Sequence, residues 1–268
     1  MRKIKKPLIL LFIVANLYAI GCGGLYFFQE NLIFHPSRLV QDYEFEFENT
    51  FEEVYLDIED GQRLHGIHFP VENAKGAMLY YHGNAGDVQR WGEITTYFVE
   101  KGYSVIVMDY RQYGKSGGTL SEEALYEDSL KWYAFAKAQY STTPLHIYGR
   151  SLGTTFATYV ASKNPAEQLI LETPFYSIQD EAKSRFPFLP LKHLLKYKFP
   201  TYSFINDVQM PISIIHGTDD GVVDYDHGKR LFDHISKSDK DLTTVPEGGH
   251  NNLIQFPEYL EVMETLLP

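Results

Sequence analysis

Ser151 lies in the pentapeptide Gly149-Arg150-Ser151-Leu152-Gly153, a G-x-S-x-G pattern set between an apolar run and a helical one. Glycines on both sides relieve crowding in a strained strand-to-helix turn, from which the serine oxygen projects above the sheet edge. A serine before a helix is also an ordinary N-cap, because its oxygen accepts an orphan main-chain N–H. The two readings part on what else the chain supplies. A hydroxyl is a weak nucleophile at neutral pH and requires a base, usually a histidine held by a carboxylate.

Ten histidines compete for that role, so position decides. His250, in "VPEGGHNN", follows the last expected strand and precedes the final helix, where a loop can hang an imidazole over the elbow. The carboxylate is sought at the strand end between serine and histidine, where "ISIIHGTDDGVVDYDHG" offers Asp219, Asp220, Asp224 and Asp226. Asp220 is preferred, since it leaves the strand just ahead of Gly221 and the turn into Val222-Val223. Asp219 is the nearest competitor, and Asp226 suits the cap of the following helix. The last requirement is a pair of main-chain donors for an oxyanion. In "YYHGNAGD", Gly83 lets the backbone turn and leaves the Asn84 amide free to donate beside that of Leu152. Both donors are main-chain groups, so the Asn84 side chain is expected to matter little. A plain β-turn before a helix capped by Asp87 is the other reading of this loop.

These residues each stand at the end of an expected strand. "EEVYLDI" and "QRLHGIHF" flank the turn "EDG" as an antiparallel hairpin. "AMLYYHG", "YSVIVMDY", "PLHIYGR", "QLILETP", "ISIIHG" and "LTTVPEG" follow, apolar at nearly every position, as suits strands covered on both faces. Helical patterns cover residues 87–100, 121–139, 152–163, 227–235 and 255–267. The alternation implies an α/β fold: a mostly parallel, doubly wound sheet with an antiparallel start. Residues 175–209 break the rhythm. They hold aromatics, prolines and cations but no strand, and read as a small helical cap within one domain spanning 29–268.

Residues 1–28 are different. Arg2, Lys3, Lys5 and Lys6 precede residues 7–28, which carry no charge. As a helix those 22 residues would reach about 33 Å, enough for a bilayer core. Basic residues ahead of the apolar run place the domain on the extracytoplasmic side. An uncleaved signal anchor is favoured, because "GGLYFF" continues past any cleavage point. A lipoprotein signal ending at Cys22, the only cysteine, and cleavage after "AIG" are the alternatives. Those four cations belong to a total of −11, so the residues after Phe28 carry −15, which argues against a nucleic-acid partner. Cys22 leaves the domain itself no cysteine and hence no disulfide.

With these motifs in order, the sequence resembles the α/β-hydrolase superfamily, and within it the membrane-anchored, small-cap branch that includes eukaryotic depalmitoylase-like and uncharacterised bacterial hydrolases. The resemblance runs through "FFQENLIFHPS", "HGNAGD", "DYRQYGKSGG", "GRSLG", "ETPFYSI", "HGTDDGVVDYDHG" and "GGHNN". It implies Ser151, Asp220 and His250 as a catalytic triad, with the amides of Asn84 and Leu152 as oxyanion donors. Gln112 stands where the family commonly has glycine, Leu120 and Ala124 replace a usual Pro and Gly, and Asn252 stands where an aspartate often follows the histidine. Asp109 and Arg111 of "DYRQYG" read as structural.

The implied activity is a serine hydrolase cleaving carboxylic esters or thioesters of small or lipid-like acyl substrates through an acyl-enzyme. No metal or organic cofactor is expected. A serine peptidase or amidase of the same fold, another cofactor-free reaction such as a perhydrolase or lyase, and a membrane-tethered, non-catalytic binding protein are the alternatives. Lys183, Arg185, Lys192, Lys196 and Lys198 give the cap a basic character that suits anionic headgroups, or the cap is simply a solvated lid.

Overall fold

The uncharged run of residues 7–28 makes up most of the first element, helix α1 (Lys5–Ile33), in the computed structural model, which describes residues 5–268. Arg2 and Lys3 of the expected basic flank lie outside the described residues. An 18-residue window of this helix has a mean hydropathy of 2.2, and none of its residues is fully buried by the rest of the chain. The helix does not stop with the uncharged run at Phe28, because the next two polar side chains find partners in the domain. Gln29 Nε2 donates to Leu194 O (3.1 Å), Gln29 Oε1 accepts from Lys196 N (2.7 Å), and Glu30 Oε1 accepts from Tyr197 Oη (2.8 Å).

Eight strands form the main sheet: β1 (Glu52–Asp57), β2 (Arg63–Phe69), β3 (Gly76–Tyr81), β4 (Tyr103–Met108), β5 (Leu145–Arg150), β6 (Gln168–Glu172), β7 (Ile212–Gly217) and β8 (Lys240–Val245). Their spatial order is β8-β7-β6-β5-β3-β4-β2-β1. β2 pairs antiparallel with both β1 and β4, and every other pair is parallel. The alternation of strand side chains is visible in β3. Ala77, Leu79 and Tyr81 enter one apolar core and Met78 and Tyr80 the other. Helices α2 (Val88–Glu100) and α9 (Pro257–Leu266) cover the second core, while α3 (Glu122–Gln139), α4 (Gly153–Lys163) and α8 (Tyr225–His234) cover the first. The winding reverses between β3 and β5, and the crevice above such a reversal is where open α/β sheets bind ligands.

The cap between β6 and β7 consists of three short helices, α5 (Ile178–Arg185), α6 (Leu191–Leu194) and α7 (Thr201–Phe204). Its aromatics anchor it: Phe199 is fully buried against Phe156 of α4, and Tyr197 packs edge-on to Phe34. One expectation is corrected at α8. The helix starts two residues earlier than its pattern suggests, so Asp224 is the N-cap, accepting from Asp226 N (2.8 Å), and Asp226 falls in the first turn.

Candidate active site

β5 runs directly into the turn at Ser151, whose φ of +51° is left-handed. A non-glycine residue there costs roughly 1–3 kcal/mol and persists only when its surroundings fix it. Ser151 N donates to Glu172 O (2.9 Å), while Ser151 O accepts from Thr154 N (3.0 Å) and Thr154 Oγ1 (2.6 Å). The flanking glycines are required by contact. A Cβ on Gly153 would sit 1.9 Å from Tyr81 O, and one on Gly149 would sit 2.7 Å from Gly153 O. Helix α4 thus presses its first turn against the end of β3, which carries the loop to Asn84.

The loop leaving β7 brings Asp220 under the loop that leaves β8. Asp220 Oδ1 accepts from the amides of Val222 and Val223 (both 2.8 Å), leaving Oδ2 for His250 Nδ1 at 2.7 Å. The opposite nitrogen, His250 Nε2, lies 3.0 Å from Ser151 Oγ. An ionised carboxylate only accepts, so the imidazole proton sits on Nδ1 and the Nε2 lone pair faces the hydroxyl. Burial would raise the Asp220 carboxyl. Hydrogen bonds from His216 and His250, the His250 charge and the Val223 amide outweigh it and hold the group well below the usual carboxylate range. His216, fully buried, donates from Nε2 to Val223 O (2.9 Å) and lies 3.3 Å from Asp220 Oδ2. Asp219 is exposed and pairs with Thr218 Oγ1 (3.2 Å), while Asp224 is occupied in capping α8.

Among the described residues, neither the Leu152 nor the Asn84 main-chain N–H has a protein acceptor. Both residues line one cavity with Ser151 and His250. The Asn84 side chain, expected to matter little, is nonetheless engaged. Its Oδ1 accepts from Tyr113 Oη (2.9 Å) and His35 N (3.2 Å), and its Nδ2 donates to Ile33 O at the end of α1. These bonds fix the loop from which the amide projects. The segment after α1 adds a second tie, a short parallel pairing of His35–Pro36 with Ala85–Gly86.

Arg150 is a residue beside the site that motif reading passed over. It is buried, with Nε 3.1 Å from Glu172 Oε1 as an ion pair, and its Nη2 donates to His250 O (3.1 Å) and Asn251 Oδ1 (3.2 Å). Its guanidinium also lies over the Trp91 ring at 5.3 Å. The residue before the serine therefore grips the loop that carries the histidine. A charged residue at the end of an otherwise apolar strand is the one signal that could have found it. Asp109 and Arg111 line no part of the cavity; Arg111 forks onto Asp128 (2.6 and 3.0 Å) and also bonds Glu59.

The cavity measures about 520 Å³, within the range of small-molecule sites, with Ser151 and His250 among its lining residues. Its apolar walls come from the cap (Phe175, Ile178, Leu191) and, unforeseen in the sequence, from Leu25 and Leu32 of α1. The arrangement can perform nucleophilic acyl transfer at a carbonyl whose apolar part fills the cavity.

A sequence model of the family described as serine aminopeptidase, S33, matches residues 72–204 and 203–255. An uncharacterized protein of Mycobacterium tuberculosis is 33% identical over 213 residues, which is 78% of this chain and 74% of its own length. The lysophosphatidylserine lipase ABHD12 of Danio rerio is 34% identical over 191 residues, 62% of this chain, and the chain spans about half (49%) of that lipase. Among solved structures, an esterase of Pyrococcus furiosus superposes with a TM-score of 0.67 at 21% identity, over 87% of this chain and 96% of the esterase. The chain is a hydrolase that belongs to the α/β-hydrolase superfamily and, within it, to the serine aminopeptidase S33 family.

Proposed function

We propose that the protein is a serine hydrolase that cleaves carboxylic ester or thioester bonds of acyl lipids through an acyl-enzyme. The observation that carries this reading is the unbroken chain from Asp220 through His250 to Ser151 at the floor of an apolar cavity. His250 Nε2 takes the Ser151 proton as Oγ attacks the carbonyl carbon. The amides of Asn84 and Leu152 hold the oxyanion, and Asp220 stabilises the imidazolium. His250 then returns the proton to the leaving alcohol or thiol. In the second half, water attacks the acyl-enzyme by the same route, releasing the carboxylic acid and restoring Ser151.

The lipid-like substrate is supported by the apolar walls and by the printed activity of the Danio rerio relative. Helix α1, with its basic flank, serves as a single-pass anchor that leaves the domain on the extracytoplasmic side. The family description favours one second reading, an aminopeptidase or amidase using the same residues.

A fluorophosphonate probe tests the nucleophile: wild type is labelled, and Ser151→Ala is not. Labelling that survives Ser151→Ala would mean another serine reacts. Absence of labelling in the wild type, beside a control serine hydrolase that labels, would favour a binding protein. Turnover of p-nitrophenyl esters of rising chain length, with a thioester and an aminoacyl amide alongside, separates the two hydrolytic readings.

A further inference from the structure

Tyr18 sits in the middle of the uncharged run of α1, and its Oη donates to Phe188 O of the cap at 3.0 Å. The two residues are 170 apart in sequence. Phe188 itself is 88% exposed, at the tip of Phe186-Pro187-Phe188-Leu189-Pro190 between α5 and α6. Tyr18 lies ten residues before Phe28, about 15 Å along the helix. If the uncharged run spans a bilayer, the cap tip lies beside it, well below the level at which the run ends. Moving such an aromatic side chain from water into hydrocarbon is favourable.

A second observation fixes the same level independently. Lys183, Arg185, Lys192, Lys196 and Lys198 are all exposed on the cap, in a domain that is otherwise acidic. Lys196 Nζ lies 4.9 Å from the Tyr26 ring, two turns of α1 above Tyr18. Lys196 and Tyr26 therefore meet near the end of the uncharged run, where lipid headgroups would lie, and the apolar tip, tied to Tyr18, lies deeper.

The cavity is continuous with this surface. Phe186 is one of its lining residues and is also 47% exposed, and Leu25 of α1 lines the same cavity. We propose that the cap tip inserts into the leaflet in which α1 ends, and that an acyl chain passes from that leaflet into the cavity between α1 and Phe186. On this view α1 is the wall of a lateral entrance as well as an anchor, and the substrate is a lipid taken from the bilayer rather than from solution. The proposal rests on the hydrolase and anchor readings above.

The test uses the full chain in phosphatidylcholine–phosphatidylglycerol vesicles. Both native tryptophans, Trp91 and Trp132, are buried, so Phe188→Trp adds a single exposed reporter. Lipids brominated along their acyl chains should quench the added fluorescence, and aqueous acrylamide should not. The reverse pattern overturns the proposal. In a second arm, Phe188→Ser, which does not line the cavity, should slow hydrolysis of a vesicle-embedded long-chain ester about tenfold, the order expected for withdrawing one aromatic side chain from apolar surroundings. Its turnover of soluble p-nitrophenyl butyrate should be unchanged. Equal losses on both substrates would sink the lateral route. A wild-type chain that washes off the vesicles in alkaline carbonate would refute the anchor and the proposal together. A chain that stays bound and shows lipid quenching, yet hydrolyses neither ester, would refute the hydrolase reading and the substrate route while leaving the seating of the tip intact.

Discussion

Asp220 and Asp109 are both buried beyond the ends of sheet strands beside imidazoles, yet their surroundings drive the two carboxyl groups in opposite directions. Asp220 receives two amides and the Nδ1–H of His250. Asp109 is fully buried, neither oxygen has a hydrogen-bond partner among the described residues, and His65 Nδ1 and His82 Nε2 stand off at 3.7 Å. The difference lies in what each histidine does with its other nitrogen. His65 Nε2 is committed to Glu53 (2.9 Å) and His82 Nδ1 to Gly83 O (2.6 Å), so in their neutral forms both turn a lone pair toward Asp109. Burial then pushes the Asp109 carboxyl up to about 7, with too little from His65 to offset it. A carboxylate beside a histidine becomes a charge partner only where the imidazole's remaining bond leaves it a proton to give.

The sharpest way to break this contrast is to neutralise each aspartate in turn. Asp220→Asn should lower kcat about 10⁴-fold, because the amide can favour the wrong imidazole tautomer. Asp109→Asn should stay within a few-fold of wild type, since Asp109 touches neither His250 nor the cavity. Ester turnover by the two purified variants decides it; comparable losses would mean that Asp109 also acts on the reacting atoms.

Arg150 sharpens the same contrast from the serine's side. Arg150→Met should cost kcat about 10²-fold through misplacement of the His250 loop. It should also remove about 3–5 kcal/mol of stability by leaving Glu172 buried without its cation. Adding Glu172→Gln should restore much of the stability but not the rate. If the rate returned with the stability, Arg150 would be an ordinary buried ion-pair member, comparable to Arg111 with Asp128, rather than a positioning residue.

How much of this was legible in the sequence follows from how local each cause is. The strands, the elbow and the order of serine, carboxylate and histidine are written in short stretches whose apolar period and turn residues point one way. The glycines around Ser151 are legible for the same reason, since the contacts that forbid a Cβ come from the elbow's own strand and helix and the adjacent β3. Ranking Asp220 over Asp219 relied on a turn that the amides of Val222 and Val223 form. What stayed hidden is long-range. Nothing near Asn84 announces a bond to the end of α1, 51 residues away, and nothing near Arg150 announces the carbonyl of His250, 100 residues on. The role of α1 as a cavity wall belongs to the same class: an apolar helix carries no mark of what stands beside it.

Stability against pH offers a third test. An unfolded aspartate titrates near 3.9, so the native chain holds the Asp109 proton, up to about 7, after the unfolded chain has lost it. Asp109 therefore lowers stability as pH rises through that window. His82 works the other way. Burial lowers it to about 4, so below about 6.5 the unfolded imidazole takes a proton that the native one refuses, and stability is lost as pH falls from 6.5 to 4. The two slopes oppose each other in the wild type. Asp109→Asn removes the first alone, so its stability relative to wild type should improve by on the order of a few kcal/mol between pH 4 and pH 8. Urea unfolding midpoints at the two pH values measure this, and a constant difference would mean that Asp109 ionises as freely in the fold as outside it.

The smallest effect is expected in the turn that covers Asp109. Gln112 has a φ of +67°, and its Oε1 accepts from Arg38 Nη2 (2.6 Å). Two residues on, Gly114 (φ +47°) packs so closely that an added Cβ would sit 1.9 Å from Asp109 Oδ2. Gln112→Gly should relieve about 1–2 kcal/mol of left-handed strain. It gives back roughly 0.5–1 kcal/mol in chain entropy, along with an exposed hydrogen bond, so the net change should be well under 1 kcal/mol. Gln112→Val cannot make that trade, because a β-branched residue fits the left-handed region worst, and it should lose about 1–3 kcal/mol. Turnover of soluble esters should be untouched in both variants, since Gln112 does not line the cavity. A valine variant as stable as wild type would show that the turn can leave the left-handed region without disturbing the carboxyl beneath it. The packing of Gly114 on Asp109 would then have to be kept by the rest of the turn.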